Sequence, residues 1–69
     1  MNEFAKELRF MRDKAGMTQE DLAQKIGYCR WSVHCWERGQ RIPNHDAIEK
    51  LQELFPNLPT PKFVRGESF

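Results

Sequence analysis

Residues 18 to 43 read TQEDLAQKIGYCRWSVHCWERGQRIP, and the way this stretch divides decides the fold. Thr18 offers a hydroxyl that caps a helix, and Asp21 returns part of a capping-box contact while favouring the positive end of the helix dipole. Leu22 and Ile26 give that helix an inner face, and Gly27 stops it. A further helix is predicted from Arg30 to Arg38, closed by Gly39, with Pro43 forbidding any continuation.

Working outward, Phe4, Leu8, Met11 and Ala15 have the spacing of one apolar helical stripe, which Gly16 ends. On the other side Asn44 caps a helix whose apolar residues are Ala47, Ile48, Leu51, Leu54 and Phe55, and Pro56 terminates it. Beyond it, Thr60, Pro61 and Gly66 bracket a possible short fifth helix around Phe63 and Val64. Alternating β-branched runs, internal repeats and low-complexity segments are absent from the sequence. The expectation is therefore an all-α bundle of four to five short helices, with one folded unit over residues 1–56 and a tail over 57–69. A chain of 69 residues holds one small core, since a domain of this size buries only about 60% of the surface its unfolded chain exposes.

The amino-terminal MNEFAKELRF carries Glu3, Lys6, Glu7 and Arg9 among its apolar residues, so it reads as neither a secretory leader nor a membrane span. A cytoplasmic protein that does not bind membranes is expected. The formal charge of +1 conceals a basic middle, with Lys25, Arg30, Arg38 and Arg41 against Glu37, beside an acidic segment holding Asp46, Glu49 and Glu53. Such a division suits a face that meets a polyanion, although charges on small helices are commonly just a solvated surface.

Residues 28 to 39, YCRWSVHCWERG, concentrate two cysteines, a histidine and two tryptophans. Cys29 and Cys35 are separated by about 9 Å of helical rise, too far for a disulfide without breaking the helix. With His34 and His45 they lack the two close ligand pairs of a zinc site, and there is no Cys-x-x-Cys for redox chemistry. A small bundle offers little room for a catalytic cleft. Neither metal, cofactor, small-molecule ligand nor enzymatic activity is expected. On a helical wheel Val33 and Trp36 fall together, while Arg30, Trp31, His34, Cys35 and Arg38 share an outward arc of about 140°. The same construction puts Cys29 on the inner side.

Thr18, Gln19, Leu22, Ala23, Ile26, Gly27, Ser32, Val33, Trp36, Glu37, Arg38, Gly39 and Pro43 together resemble the pattern of the Cro and repressor, or Xre-like, family of phage and bacterial transcription regulators. The likeness spans residues 4 to 55, with the helix-turn-helix unit at 19–38, and implies a lambda-repressor-like bundle. Its spacing has physical sense. Ala23 is small where the recognition helix crosses close to its neighbour, and Gly27 takes the positive φ of the turn at no steric cost. Cys29 departs from the family's usual Ser or Thr cap, and a thiol is a weaker acceptor than a hydroxyl.

The resemblance implies a sequence-specific DNA-binding repressor acting as a homodimer on a palindromic, double-stranded operator. Arg30, Trp31, His34 and Cys35 resemble the base-reading set, with Arg30 suited to fork onto guanine. Gln19 resembles the family's phosphate clamp, and Tyr28, Arg38, Gln40 and Arg41 lie where they could meet the flanking backbone. Arg12 and Glu37 match positions that form an ion pair in the family. Phe55, Leu58, Phe63 and Val64 exceed what a four-helix core can cover and are expected at the dimer contact. Without a second domain, control would fall to concentration, competition or a partner. The rival reading is a protein-interaction module of the same fold, such as an antitoxin or a phage protein that binds a protein partner.

Overall fold

The computed structural model describes residues 3–61. Four helices follow one another in it: α1 (Glu3–Lys14), α2 (Gln19–Ile26), α3 (Arg30–Arg38) and α4 (His45–Leu54). The described residues contain no strand. A fifth helix around Phe63 and Val64 would lie outside the described residues, as do those two side chains themselves.

The helix ends follow local chemistry. Ahead of α2, Thr18 Oγ1 accepts from the Asp21 amide at 3.0 Å, and the Thr18 amide donates to Asp21 Oδ2 at 3.1 Å, a complete capping box. Gly27 ends α2 at φ 79°, its amide bonded to the Ala23 carbonyl. A Cβ there would meet nothing within 4 Å, so the requirement for glycine comes from the left-handed backbone and not from crowding. Asn44 caps α4 by accepting from the Ala47 amide at 2.9 Å. In contrast, Cys29 at the start of α3 makes no side-chain capping bond, and its sulfur rests 3.4 Å from Ser32 Oγ.

Packing then follows the apolar faces. α3 lies against both α2 and α1, and α4 lies against α2. The core joins Phe4, Leu8, Leu22, Ala23, Ile26, Val33, Trp36, Ala47, Leu51 and Leu58, with Met11, Met17, Tyr28 and Phe55 packed at its edge. The α1 stripe runs out before its end, because Ala15 is exposed, and in α4 Leu54 faces solvent.

Leu58 corrects the expectation that it is available to a partner. It is buried in the core of its own chain. After Pro56 the backbone turns back, the Leu58 amide bonding to the Phe55 carbonyl at 2.9 Å. The Gln52 amide then holds the Leu58 carbonyl and Thr60 Oγ1, both at 3.2 Å. The first residues of the 57–69 tail thus pack with the bundle. A proline marks where a helix ends, but it does not say where the chain goes next.

Candidate nucleic-acid interface

α3 is wedged between two helices and is buried along Val33, Trp36 and Glu37. Its opposite side carries Arg30, Trp31, His34 and Arg38. Arg30 and Arg38 are exposed, Trp31 is 64% exposed, and His34 is half-buried. The Trp31 and His34 rings stack, with centroids 5.1 Å apart and planes inclined by 26°. An exposed indole held face to face with an imidazole presents a flat apolar platform with a hydrogen-bonding edge. Arg30 Nε lies 3.9 Å from Glu20 Oε1, but both side chains are more than half exposed, so the contact holds Arg30 only weakly.

The two cysteines occupy the reverse of their wheel positions. Cys35, expected on the outward arc and in the base-reading set, is buried at 3% exposure, whereas Cys29 is exposed. Cys35 stands at the edge of the arc, about 40° beyond Trp31 at 100° per residue. The chain after Gly39 folds back at this point, the Gln40 and Arg41 amides bonding to the Cys35 carbonyl at 3.0 and 3.4 Å. A wheel gives the direction of a side chain and not the extent of the packed side, so a position at the edge of the arc can be buried. Cys29 precedes the first helical residue, where the backbone is extended (φ −91°, ψ 158°), so a helical wheel does not fix its direction. The Ser32 hydroxyl holds the exposed Cys29 thiol below the usual thiol pKa range.

The far end of α3 is fastened. Arg12 grips Glu37 with two bonds, Nε to Oε2 at 2.6 Å and Nη2 to Oε1 at 3.1 Å. A third donor comes from Gln19, whose Nε2 reaches Glu37 Oε1 at 3.2 Å, while Arg12 Nη1 donates to the Met17 carbonyl at 2.7 Å. The Glu37 side chain is only 3% exposed and that of Arg12 11%. Each charge is therefore matched where water is scarce, and the bond to Glu37 raises the Arg12 pKa above its ordinary value. The cluster joins α1, the start of α2 and the end of α3. Gln19, expected as a phosphate clamp, is in this arrangement also a ligand of Glu37.

Tyr28 has a structural occupation as well. Its ring meets Trp36 edge-on at 5.4 Å, and its hydroxyl donates to Asp46 Oδ2 at 2.9 Å, with Asn44 Oδ1 at 3.2 Å. The bond to Asp46 raises the hydroxyl pKa. A phosphate contact by Tyr28 would have to replace this carboxylate. Gln40 and Arg41 stand exposed in the loop after α3. Among the described residues no group of three or more His, Cys, Asp or Glu side chains is arranged to hold a metal ion. No helix of the described residues is long and apolar enough to cross a membrane.

Sequence reasoning missed Arg9. It lies on α1, three residues before Arg12 and hence on a neighbouring part of the same face. With Arg12, Gln19, His34, Glu37 and Arg38 it lines a polar recess of about 220 Å³ beside the exposed arc. The spacing from Arg12 was the signal that could have found it.

A nine-residue helix held on a two-helix base, with a short glycine-bearing turn between it and its predecessor, defines a helix-turn-helix domain. Comparison with known proteins agrees: the family described as "Helix-turn-helix domain" matches residues 3–55, and the chain belongs to it. It is 30% identical over 53 residues to the HTH-type transcriptional activator BcrR of Enterococcus faecalis, covering 77% of this chain and 26% of that protein. It is 38% identical over 48 residues to an uncharacterized HTH-type transcriptional regulator of Archaeoglobus fulgidus, covering 70% of this chain and 69% of that protein. The chain thus spans about a quarter of the length of the first relative. No solved structure is a significant match.

Proposed function

We infer that the chain is a sequence-specific DNA-binding transcriptional regulator that inserts α3 into the major groove. The observation that carries this reading is the exposed row of Arg30, Trp31, His34 and Arg38 on a helix whose other side is buried. A B-DNA major groove admits an α-helix and presents a distinct donor and acceptor pattern for each base pair. Arg30 at the leading end forks onto guanine O6 and N7. Trp31 lies against thymine methyls or the sugar edge, and His34 bonds a base edge one turn further on. Arg38, Gln40, Arg41 and Gln19 meet the flanking phosphates. The regulatory part of the reading is supported by the names of the relatives, an activator and a regulator of transcription.

More narrowly, the reading is of a Cro-like or Xre-like regulator that represses by occupying a palindromic operator as a homodimer in the cytoplasm. A single short helix reads few base pairs, so two copies with half-site centres about 34 Å apart supply the needed length of sequence. Support for a contact between copies comes from the groove of about 430 Å³ at the ends of α1 and α4, lined by Phe10, Met11, Leu54, Phe55 and Pro56 among others. Phe10 is 58% exposed there, and Phe55 is the described member of the expected dimer set that keeps surface free. The test is selection of bound fragments from a random duplex pool. The expected result is enrichment of an inverted repeat whose halves are one helical turn apart; a direct repeat, or no enrichment, would overturn the palindromic reading.

A further inference from the structure

We propose that the recess beside α3 is a seat for one backbone phosphate of the bound duplex, and that Arg9 of α1 is the residue that closes on it. The proposal rests on the DNA-binding reading and adds to it a contact from outside the helix-turn-helix unit. Three arginines and one carboxylate line the recess. Glu37 already accepts two bonds from Arg12 and one from Gln19, and its charge is matched by the Arg12 guanidinium where it lies. The charge left for a ligand is that of Arg9 and Arg38, both exposed and neither paired with a carboxylate among the described residues. A concave site with two uncommitted guanidinium groups selects a tetrahedral oxyanion that accepts several hydrogen bonds.

Position identifies the oxyanion. His34 and Arg38 belong both to the recess and to the exposed row of α3, one turn apart. When that row faces base edges, the recess faces the strand that borders the groove. Its volume of about 220 Å³ holds a phosphodiester group with bridging waters, each of which occupies about 30 Å³. Arg9 approaches from α1 and Arg38 from α3, so the phosphate is gripped from two elements that the Arg12 to Glu37 bond keeps in register. Such a contact sets the angle at which α3 enters the groove and carries no base preference.

The experiment uses the full chain, its selected operator, and duplexes in which single phosphates are replaced by neutral methylphosphonates. The unaltered chain is expected to lose affinity at one particular phosphate in each half-site, and Arg9→Gln to be indifferent to replacement at that same phosphate. Between 50 and 200 mM salt Arg9→Gln should lose about tenfold less affinity than the unaltered chain, the share of two neutralised phosphates, one in each half-site, with base preference unchanged. Its melting temperature should stay the same, since Arg9 is exposed and unpaired with any described carboxylate. Equal losses for both proteins at every phosphate would overturn the proposal while leaving DNA binding intact. Failure of the unaltered chain to bind any duplex would overturn both. Inorganic phosphate at constant ionic strength separates the source of the anion. If it saturates the recess, followed through the His34 ring resonances, and abolishes the Arg9-dependent difference without dissociating the duplex, the recess serves a free ion and the assignment to the backbone is wrong.

Discussion

The two helices of the helix-turn-helix unit begin in opposite ways. α2 starts with a reciprocal capping box, both bonds between Thr18 and Asp21 being formed. α3 starts at Cys29 with no side-chain cap, and its leading residues Arg30 and Trp31 are exposed. At its other end α3 is bound by the Arg12 and Gln19 bonds to Glu37 and by the left-handed Gly39 at φ 76°. α3 is therefore anchored at its tail and lightly held at its head. On the proposed DNA-binding reading, a side chain that must adjust to a base edge benefits from standing at the looser end, while the fastened end keeps the helix on its base.

The strongest way to break this contrast is to cut the anchor. Arg12→Ala leaves the buried Glu37 carboxylate with only the Gln19 amide, and Glu37→Ala leaves the Arg12 charge with only the exposed Asp13 carboxylate 3.4 Å away, so each is expected to cost up to about 3–5 kcal/mol in denaturant unfolding. Replacing both should recover part of the loss, giving a clear interaction in a double-mutant cycle. Additive losses would mean that the pair does not hold the tail of α3.

Next in size is Leu58→Ala, expected to cost about 2–5 kcal/mol as a buried leucine truncated in a core. Because Leu58 packs within its own chain, sedimentation should show the folded variant associating as the unaltered protein does. Unchanged stability with lost association would return Leu58 to the surface between copies.

Smaller still is the effect at the head of α3. Cys29→Ser supplies the missing oxygen acceptor and should stabilise by about 1 kcal/mol, whereas Thr18→Ala should cost about that much at α2. The cysteines give a chemical version of the same test. In the native protein a thiol alkylating reagent should modify Cys29 and spare Cys35, because the first is exposed and the second buried. The Cys29 rate should also reach half its maximum at a pH below that of an ordinary exposed thiol, since the Ser32 hydroxyl favours the thiolate; Ser32→Ala should move it up. Equal reactivity of both cysteines would restore Cys35 to the outward arc.

Much of the fold was legible because its decisive signals are local. Thr18, Gly27, Gly39, Asn44 and Pro56 each act within one turn of where they stand, and four helices fall where these residues put them. The exposed row of Arg30, Trp31, His34 and Arg38 followed from 3.6-residue periodicity alone. Leu58 was misjudged because the chain returns to the bundle after α4 ends, and periodicity within a helix carries no information about such a return. Cys35 was misjudged at the edge of its arc, where a helical wheel does not say how far the packed side extends. Gln19 and Tyr28 were legible as polar groups near the interface, but not their bonds to Glu37 and Asp46 across 18 residues of sequence in each case.

The central claim, that α3 reads bases from its lightly held head, is tested most directly by comparing Arg30→Ala with Arg41→Ala. Both are measured on the selected operator and its single-base variants at several salt concentrations. Arg30→Ala should cost about 1–3 kcal/mol on the operator and relax preference at one base pair. Arg41→Ala, altering a loop residue proposed to meet only phosphate, should weaken all sequences alike and reduce the salt slope by about one unit per half-site. If Arg30→Ala weakens every site equally while Arg41→Ala changes base preference, α3 does not enter the groove by its head and the account is wrong.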